Sequence, residues 1–271
     1  MSAYEYLLER PSHCDHLVQF YGADDRVLTR NVSQYLAEGL RRNDRVLVVA
    51  SAERAQGFIR QLDALQASPH KAIEEGRLAV HDALTLLNTF MVGDRPDWNR
   101  FDLTIGATVR DLGSRAGAGG LRAYGEMVDI LWKQDMCDAA IELEDFWNRL
   151  LKSHNFSLYC AYSLDVFADN FNMACVSRIL GTHTHLLPSG TDRALQHALD
   201  RAIEDILGAD APRDRTFPEA TERPGAQLPK TEAAILWLRQ NRPDAAPAVM
   251  HRARQIYEGT ETFRQTPAFS D

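Results

Sequence analysis

The chain has 271 residues, 45% of them hydrophobic, which is enough for one large domain with an appendage and a full core. Its 30 Lys and Arg stand against 38 Asp and Glu, a formal charge of −8, and this argues against a dominant phosphate-binding surface and so against direct nucleic-acid binding. No stretch reaches the roughly 20 apolar residues of a membrane span, and the opening MSAYEYLLERPSHCDH lacks the cationic and apolar regions of a secretory leader, so no membrane contact and a cytoplasmic location are expected.

From His16 to about Ser163 short apolar runs alternate with amphipathic segments. The first candidate strand is LVQFY (17–21), followed by a helix in which Leu28, Val32, Tyr35, Leu36 and Leu40 share one face. RVLVVAS (45–51) and RLAVHD (77–82) are the next strands. DLTIGA (102–107) is ambiguous, and the stripe Phe101, Ile105, Val109, Leu112 favours helix up to the Gly-rich AGAGG at 116–120. LRAYGE (121–126) and FSLYCAYS (156–163) bring the firm strands to five; between them a helix carries Leu143, Phe146, Trp147, Leu150 and Leu151 on one side. Strand–helix alternation predicts an α/β fold, a mostly parallel central sheet covered by helices on both faces.

Beyond the last strand, DVFADNFNMACVSRILGTHTHLLP reads as a helix ending near Gly181 and a short segment with His183 and His185. A further helix presents Leu195, Leu199, Ala202 and Ile206, with Thr191 as its cap. At 212 the composition shifts: Pro212, Pro218, Pro224 and Pro229 mark an extended linker. The predicted plan is therefore a sheet domain over 1–211, a Pro-rich linker over 212–229 and a helical tail over 230–271. Isolated helices of the tail's length are marginal in water. Ile235, Leu236, Trp237 and Leu238 are expected to bury against the main domain, a second copy of the chain or a regulatory partner.

In an open parallel sheet ligands lie beyond the carboxyl ends of the strands. Those ends carry Tyr21, Gly22 and Asp24, then Ser51 and Arg54, then His81 and Asp82, then Tyr124, Gly125 and Glu126, then Tyr162 and Ser163. Glu126 either points into that crevice or serves the fold, by capping the helix that follows or by pairing with Arg122. The loop after the first strand, GADDRVLTR, is acidic and has no GK[ST], so it does not make a phosphate cradle. No GxSxG or HExxH occurs. His13 with His16, and His183 with His185, make poor zinc pairs without a third ligand, so no catalytic residue, metal or cofactor is expected. Cys14, Cys137, Cys160 and Cys175 are far apart with no CxxC, which predicts buried free thiols and no disulfide framework. The acidic run IELEDFW reads as a solvated helix face, with Glu144 near the edge of the apolar stripe.

The segments HLVQFYGADDRVL, DRVLVVASAER, LRAYGEMVDILW, AIELEDFWNRLL, FSLYCAYSLDVF and THTHLLP together resemble the MEDS family, the methanogen/methylotroph DcmR-type sensory domain, over roughly residues 13–188 in unbroken order. The resemblance implies a RecA-like, KaiC-like three-layer sandwich that has lost its phosphate-binding loop and senses small molecules such as hydrocarbon derivatives, as the input module of histidine kinases or transcription regulators. Two departures stand out: Gly22-Ala23 replaces the usual Glu-Asn after Phe-Tyr, and no kinase or helix-turn-helix module accompanies the domain. The expected function is a non-enzymatic sensor that binds a small molecule at the carboxyl edge of the sheet and signals through protein contacts. His16, Tyr21, Arg122, Tyr124, Glu126 and Tyr162 are the expected pocket residues, with His81 and His183 as second choices; the aromatic rings would be walls, and Glu126, Arg122 and His16 the orienting polar groups. Two readings compete with it: a nucleotide-binding or hydrolysing relative with an atypical phosphate site, in which Glu126 activates water, and a ligand-free adaptor with an occluded crevice.

Overall fold

A computed structural model describes residues 3–22, 25–116, 120–164, 173–187, 193–208 and 230–265. The expected linker and the Thr191 cap lie outside these residues. The chain divides into two compact units, residues 1–164 with 174–189, and residues 165–173 with 190–271.

In the first unit the chain runs α1 (Ala3–Glu9), β1 (His16–Tyr21), α2 (Arg26–Arg41), β2 (Arg45–Ala50), α3 (Ala52–Ala64), α4 (Pro69–Glu74), β3 (Leu78–Asp82) and α5 (Ala83–Phe90). A two-residue hairpin follows, β4 (Met91–Val92) and β5 (Arg95–Pro96), then α6 (Trp98–Phe101), a π-helical turn (Asp102–Gly106) and α7 (Ala107–Ser114). The unit closes with β6 (Leu121–Gly125), α8 (Met127–Lys133), α9 (Cys137–Ser153), β7 (Phe156–Ser163), α10 (Met173–Thr182) and β8 (His185–Leu187). The ambiguous segment at 102–107 is thus helical, as its apolar stripe indicates.

Six strands form one sheet in the order β3-β2-β6-β7-β1-β8, with every neighbouring pair parallel. β1 and β6 are buried along their whole length and β7 along all but its last residue, which is what a sheet covered on both faces demands. β3, at the edge, alternates buried and accessible positions instead. The sixth strand, β8, is only a short segment in the sequence: three residues among histidines and threonines give no period to detect. It pairs with β1 through Leu17↔His185 and Gln19↔Leu187.

One face of the sheet buries Leu17, Val48, Tyr124 and Tyr159 against Leu28, Val32, Tyr35 and Leu36 of α2 and Phe58 of α3. On the other face Trp147 of α9 lies over Gly125 and against Phe101 and Phe156. Full burial of a side chain such as Phe58 or Leu36 stabilises the fold by about 1.5–3 kcal/mol, so this aromatic and aliphatic filling outweighs any single polar contact.

Two expectations need correction. Cys137 and Cys175 form a disulfide, with Cα atoms 6.3 Å apart, that joins the first residue of α9 to α10; only Cys14 and Cys160 are free thiols. The 38-residue separation concealed the pair, because neither cysteine carries a local spacing motif. Cys14 is also exposed, whereas the sequence reading had every thiol buried.

The second unit holds α11 (Arg193–Leu207), α12 (Lys230–Asn241) and α13 (Ala246–Gln265). α11 packs on α13 and α12, so it joins the C-terminal helices rather than the sheet domain, and the compact units part near 189 instead of 211. Its buried face is Ala194, Ala198, Leu199, Ala202 and Ile203, while Ile206 is exposed. Ile235, Leu236 and Leu238 of α12 are buried within the single chain, and Trp237 partly so.

Candidate functional site

The carboxyl ends of four strands share one polar network. Glu126 follows β6, and its N–H donates to Val49 O of β2 at 2.9 Å. Its carboxylate does not cap the helix it precedes. It accepts instead from the backbone N–H of Ser51, the residue before α3, at 2.7 Å and from Arg54 Nε at 2.9 Å. Of the readings that sequence left open, pairing with Arg122 is thereby replaced by pairing with Arg54. Arg54 reaches further, donating from Nη1 to Asp25 Oδ2 at 3.0 Å and from Nη2 to the Tyr21 hydroxyl at 3.1 Å.

The Tyr21 hydroxyl donates to Asp129 Oδ2 at 2.5 Å, and Lys133 Nζ lies 2.8 Å from the same oxygen. Asp129, on α8, is almost fully buried, and its other oxygen accepts from Ser163 N–H and Ser163 Oγ at 2.7 and 2.8 Å. Burial and the neighbouring Asp129 carboxylate push the Tyr21 phenol well above its usual range, so it acts as a donor throughout neutral pH. Among the described residues, the carboxylates of Asp25, Glu126 and Asp129 face the cations of Arg54 and Lys133. Beside them, Tyr124 is fully buried, packs edge-on against Phe58 at 5.0 Å, and has a hydroxyl with no hydrogen-bond partner among the described residues. Burial raises its pKa strongly, and the Glu126 carboxylate adds to that.

A second cluster lies on the opposite face of the sheet, between β1, β7, α9 and the end of α10. His16 opens β1, Cys160 and Tyr162 project from alternate positions of β7, Glu144 comes from α9, and His183 follows α10. All five side chains are buried. Tyr162 OH donates to Glu144 Oε1 at 2.5 Å. His16 Nε2 stands 3.3 Å from Glu144 Oε2 and His183 Nε2 3.3 Å from Glu144 Oε1. Cys160 Sγ is 3.5 Å from His16 Nε2 and 3.6 Å from Glu144 Oε2. Burial and the adjacent His183 ring lower the His16 pKa, while burial and Glu144 raise that of the Cys160 thiol.

The expected pocket residues therefore divide. Tyr21, Tyr124 and Glu126 belong to the carboxyl-edge network, and His16, Tyr162 and His183 to the buried cluster. Arg122 belongs to neither: at the amino half of β6 it donates to Asp44 Oδ2 at 2.8 Å and to the carbonyls of Leu8, Tyr35 and Glu9 at 2.9, 3.0 and 2.9 Å. This guanidinium ties α1 and α2 to the sheet. Gly39 makes room for it, since a Cβ there would stand 2.8 Å from Arg122 Cδ. A cleft of about 450 Å³ beside it is lined by Arg10, His13, Arg42, Asp44 and Ser157, at the end of the sheet opposite to the one expected. His81 stands apart on the edge strand β3, half-buried, and burial lowers its pKa.

Sequence reading noted Arg54 without assigning it a role and missed Asp129, Glu144 and Cys160 as site residues. Glu144 corrects the solvated-face expectation, for it is fully buried while Asp145 is exposed. The signal was present: Glu144, Trp147 and Leu151 stand at i, i+3 and i+7 on one helical face.

Among known proteins, the family model of MEDS, the MEthanogen/methylotroph, DcmR Sensory domain, matches residues 15–184. No curated protein matches the chain. Solved structures similar to it include the flagellar accessory protein FlaH from Methanocaldococcus jannaschii, at 14% identity and a TM-score of 0.44, covering 65% of this chain and 70% of that one. An ATPase from the type III secretion system of pathogenic bacteria is similar at 10% identity and a TM-score of 0.37, covering 93% and 83%.

Proposed function

Because the chain belongs to the MEDS family of methanogen/methylotroph, DcmR sensory domains, we propose that it is a non-enzymatic sensor whose carboxyl-edge network receives a small uncharged organic molecule, such as a hydrocarbon derivative. The observation that carries this reading is Tyr124, whose buried hydroxyl, beside Arg54, Glu126 and Tyr21, lacks a partner among the described residues. An unsatisfied buried hydroxyl costs about 1–3 kcal/mol, and a ligand carbonyl or hydroxyl placed there would offset that cost. Aromatic rings, those of Tyr21, Phe58 and Tyr124, supply the apolar contact that such a ligand needs. The carboxylates of Asp25, Glu126 and Asp129 outnumber the cations of Arg54 and Lys133 with which they pair, and disfavour phosphates and organic acids. A ligand that competes for Arg54 or Tyr21 loosens the ties between four strand ends, and that rearrangement is the signal passed to a regulatory partner or a second copy.

The test is a thermal-shift and native mass-spectrometry screen of short-chain alcohols, aldehydes and ketones against the full chain and Tyr124→Phe. A compound that raises the melting temperature of the wild type should bind Tyr124→Phe about 5-fold or more weakly, the loss of one hydrogen bond. Equal response of the two proteins, or no response to any compound, overturns the reading. Sustained triphosphate hydrolysis that disappears in Glu126→Gln would overturn its non-enzymatic part.

A further inference from the structure

We propose that His16, Glu144, Cys160 and His183 form a closed tetrahedral site for a divalent transition-metal cation of the zinc class. The four candidate ligand atoms all lie within 4.8 Å of one another. A tetrahedron built from ordinary zinc bonds has edges of about 3.3–3.4 Å between nitrogen or oxygen ligands and about 3.5–3.6 Å where sulfur takes part. The measured separations are 3.3 and 3.3 Å from the two imidazoles to the carboxylate, 3.5 Å from imidazole to sulfur and 3.6 Å from sulfur to carboxylate. These four contacts stand near coordination spacing; His16 and Cys160 face Glu144 Oε2 while His183 faces Oε1, and one ligand atom from each of the four residues lies within 4.8 Å of the others, so a small turn of the side chains would close the tetrahedron.

The surrounding hydrogen bonds fix the ring tautomers. Asn148 Nδ2 donates to Thr182 O at 2.9 Å, so its Oδ1 faces His16 Nδ1 at 3.0 Å and accepts a proton from it. His183 Nδ1 lies 2.7 Å from the carbonyl of Ile179, which can only accept. In both rings Nδ1 carries hydrogen, and in the neutral form each Nε2 turns its lone pair toward Glu144 and Cys160. Two lone pairs converging on a buried carboxylate repel it unless protons or a metal cation stand between them, and one divalent cation would serve both rings and Cys160 at once. Outer hydrogen bonds of this kind, with Tyr162 OH on Glu144 as a third, are what orient the ligands of metal sites.

Charge supports the same conclusion. Two neutral imidazoles, one carboxylate and one thiolate around a divalent cation sum to zero, the balance that a fully buried cluster needs. The thiol releases its proton to solvent as the metal binds, so affinity rises with pH. A mixed nitrogen, oxygen and sulfur set with four protein ligands and no open position belongs to structural or regulatory zinc sites rather than catalytic ones. A bound cation would clamp the amino end of β1, the middle of β7, α9 and the segment after α10 at one point.

The test uses the full chain carrying Cys14→Ser, kept non-reduced so that Cys137 and Cys175 remain paired and Cys160 is the one thiol left. Elemental analysis after purification without chelators should find about one zinc per chain. Cobalt(II) added to the chelator-treated protein should give the intense visible bands of a tetrahedral centre together with a near-ultraviolet thiolate-to-cobalt band. His183→Gln should weaken cobalt binding about 10-fold or more, and His81→Gln should leave it unchanged. Folded protein that holds no zinc and gives no tetrahedral cobalt spectrum overturns the proposal. So does a spectrum without the thiolate band, or one that survives His183→Gln intact in folded protein, since the cation would then sit elsewhere. If His183→Gln fails to fold, the thiolate band in the Cys14→Ser protein decides the matter alone.

Discussion

Replacing Glu126 by Gln keeps the shape of the side chain and removes its charge, which isolates what the carboxylate does at the strand ends. The wild-type carboxylate accepts from Ser51 N–H at 2.7 Å and Arg54 Nε at 2.9 Å, with the Glu126 and Arg54 side chains only 7% and 12% exposed. The two bonds end on different oxygens, and Gln keeps only one, so one bond becomes neutral at a loss of about 1 kcal/mol while the amide NH2 faces the other donor at a loss of about 1–3 kcal/mol, or about 2–4 kcal/mol together. The cost does not exceed the roughly 3–5 kcal/mol of stripping a buried charge of its partner, because Arg54 keeps Asp25 and Tyr21. Thermal melts should therefore fall by about 4–16 °C, at about 2–4 °C per kcal/mol for a unit of this size. The difference should persist at high salt, since a buried pair is screened little. A double-mutant cycle with Arg54→Met should return a coupling of about 1–3 kcal/mol. A melting temperature unchanged within about 1 °C, or strict additivity with Arg54→Met, would refute the assignment of the network to Glu126 and leave the ion pair as an energetically silent contact.

Three further outcomes are expected. Arg122→Met strands the Asp44 carboxylate and the carbonyls of Leu8, Glu9 and Tyr35, and urea denaturation should show a loss of about 3–5 kcal/mol; a loss under about 1 kcal/mol would contradict the tie it makes. Thiol titration of unfolded, unreduced protein should count two groups, Cys14 and Cys160, rising to four after reduction, and four before reduction would disprove the Cys137–Cys175 bond. The folded-state pKa of His81 is lowered by burial, so the unfolded chain binds the proton more readily. Its stability contribution is complete above the unfolded value of about 6.5 and is lost as pH falls through the lowered one; His81→Gln should flatten the stability-against-pH slope in that window, and an unchanged slope would remove His81 as its source.

Strands β1, β2, β6 and β7 were legible because burial on both faces forces near-continuous apolar runs, the edge strand β3 because Leu78, Ala79 and Val80 still make a short apolar run, and α2 and α9 because their stripes repeat at helical spacing. β8 and the hairpin of β4 and β5 were not, since two or three residues carry no period. The carboxyl-edge placement of Tyr21 and Glu126 followed from strand ends alone. The partner of Glu126 did not, because Arg54 and Arg122 are both basic and only the direction of the β6 side chains, with Arg122 at the amino half, separates them. The buried cluster was hidden for a related reason: histidines were weighed against neighbours in sequence, His13 with His16 and His183 with His185, whereas the sheet joins His16 to His183 across 167 positions through β1 and the segment leading to β8.

Strand β7 places Tyr162 against Glu144 on one face and the very next residue, Ser163, against Asp129 at the edge network. Heredity acts on such a strand under a constraint. Inserting or deleting one residue between Phe156 and Ser163 turns the remaining side chains to the opposite face, so a single indel would dismantle both constellations at once. Divergence of the edge site toward a new ligand must therefore proceed by point substitution in register, and the length of β7 is the feature that homologues of this chain have least freedom to change.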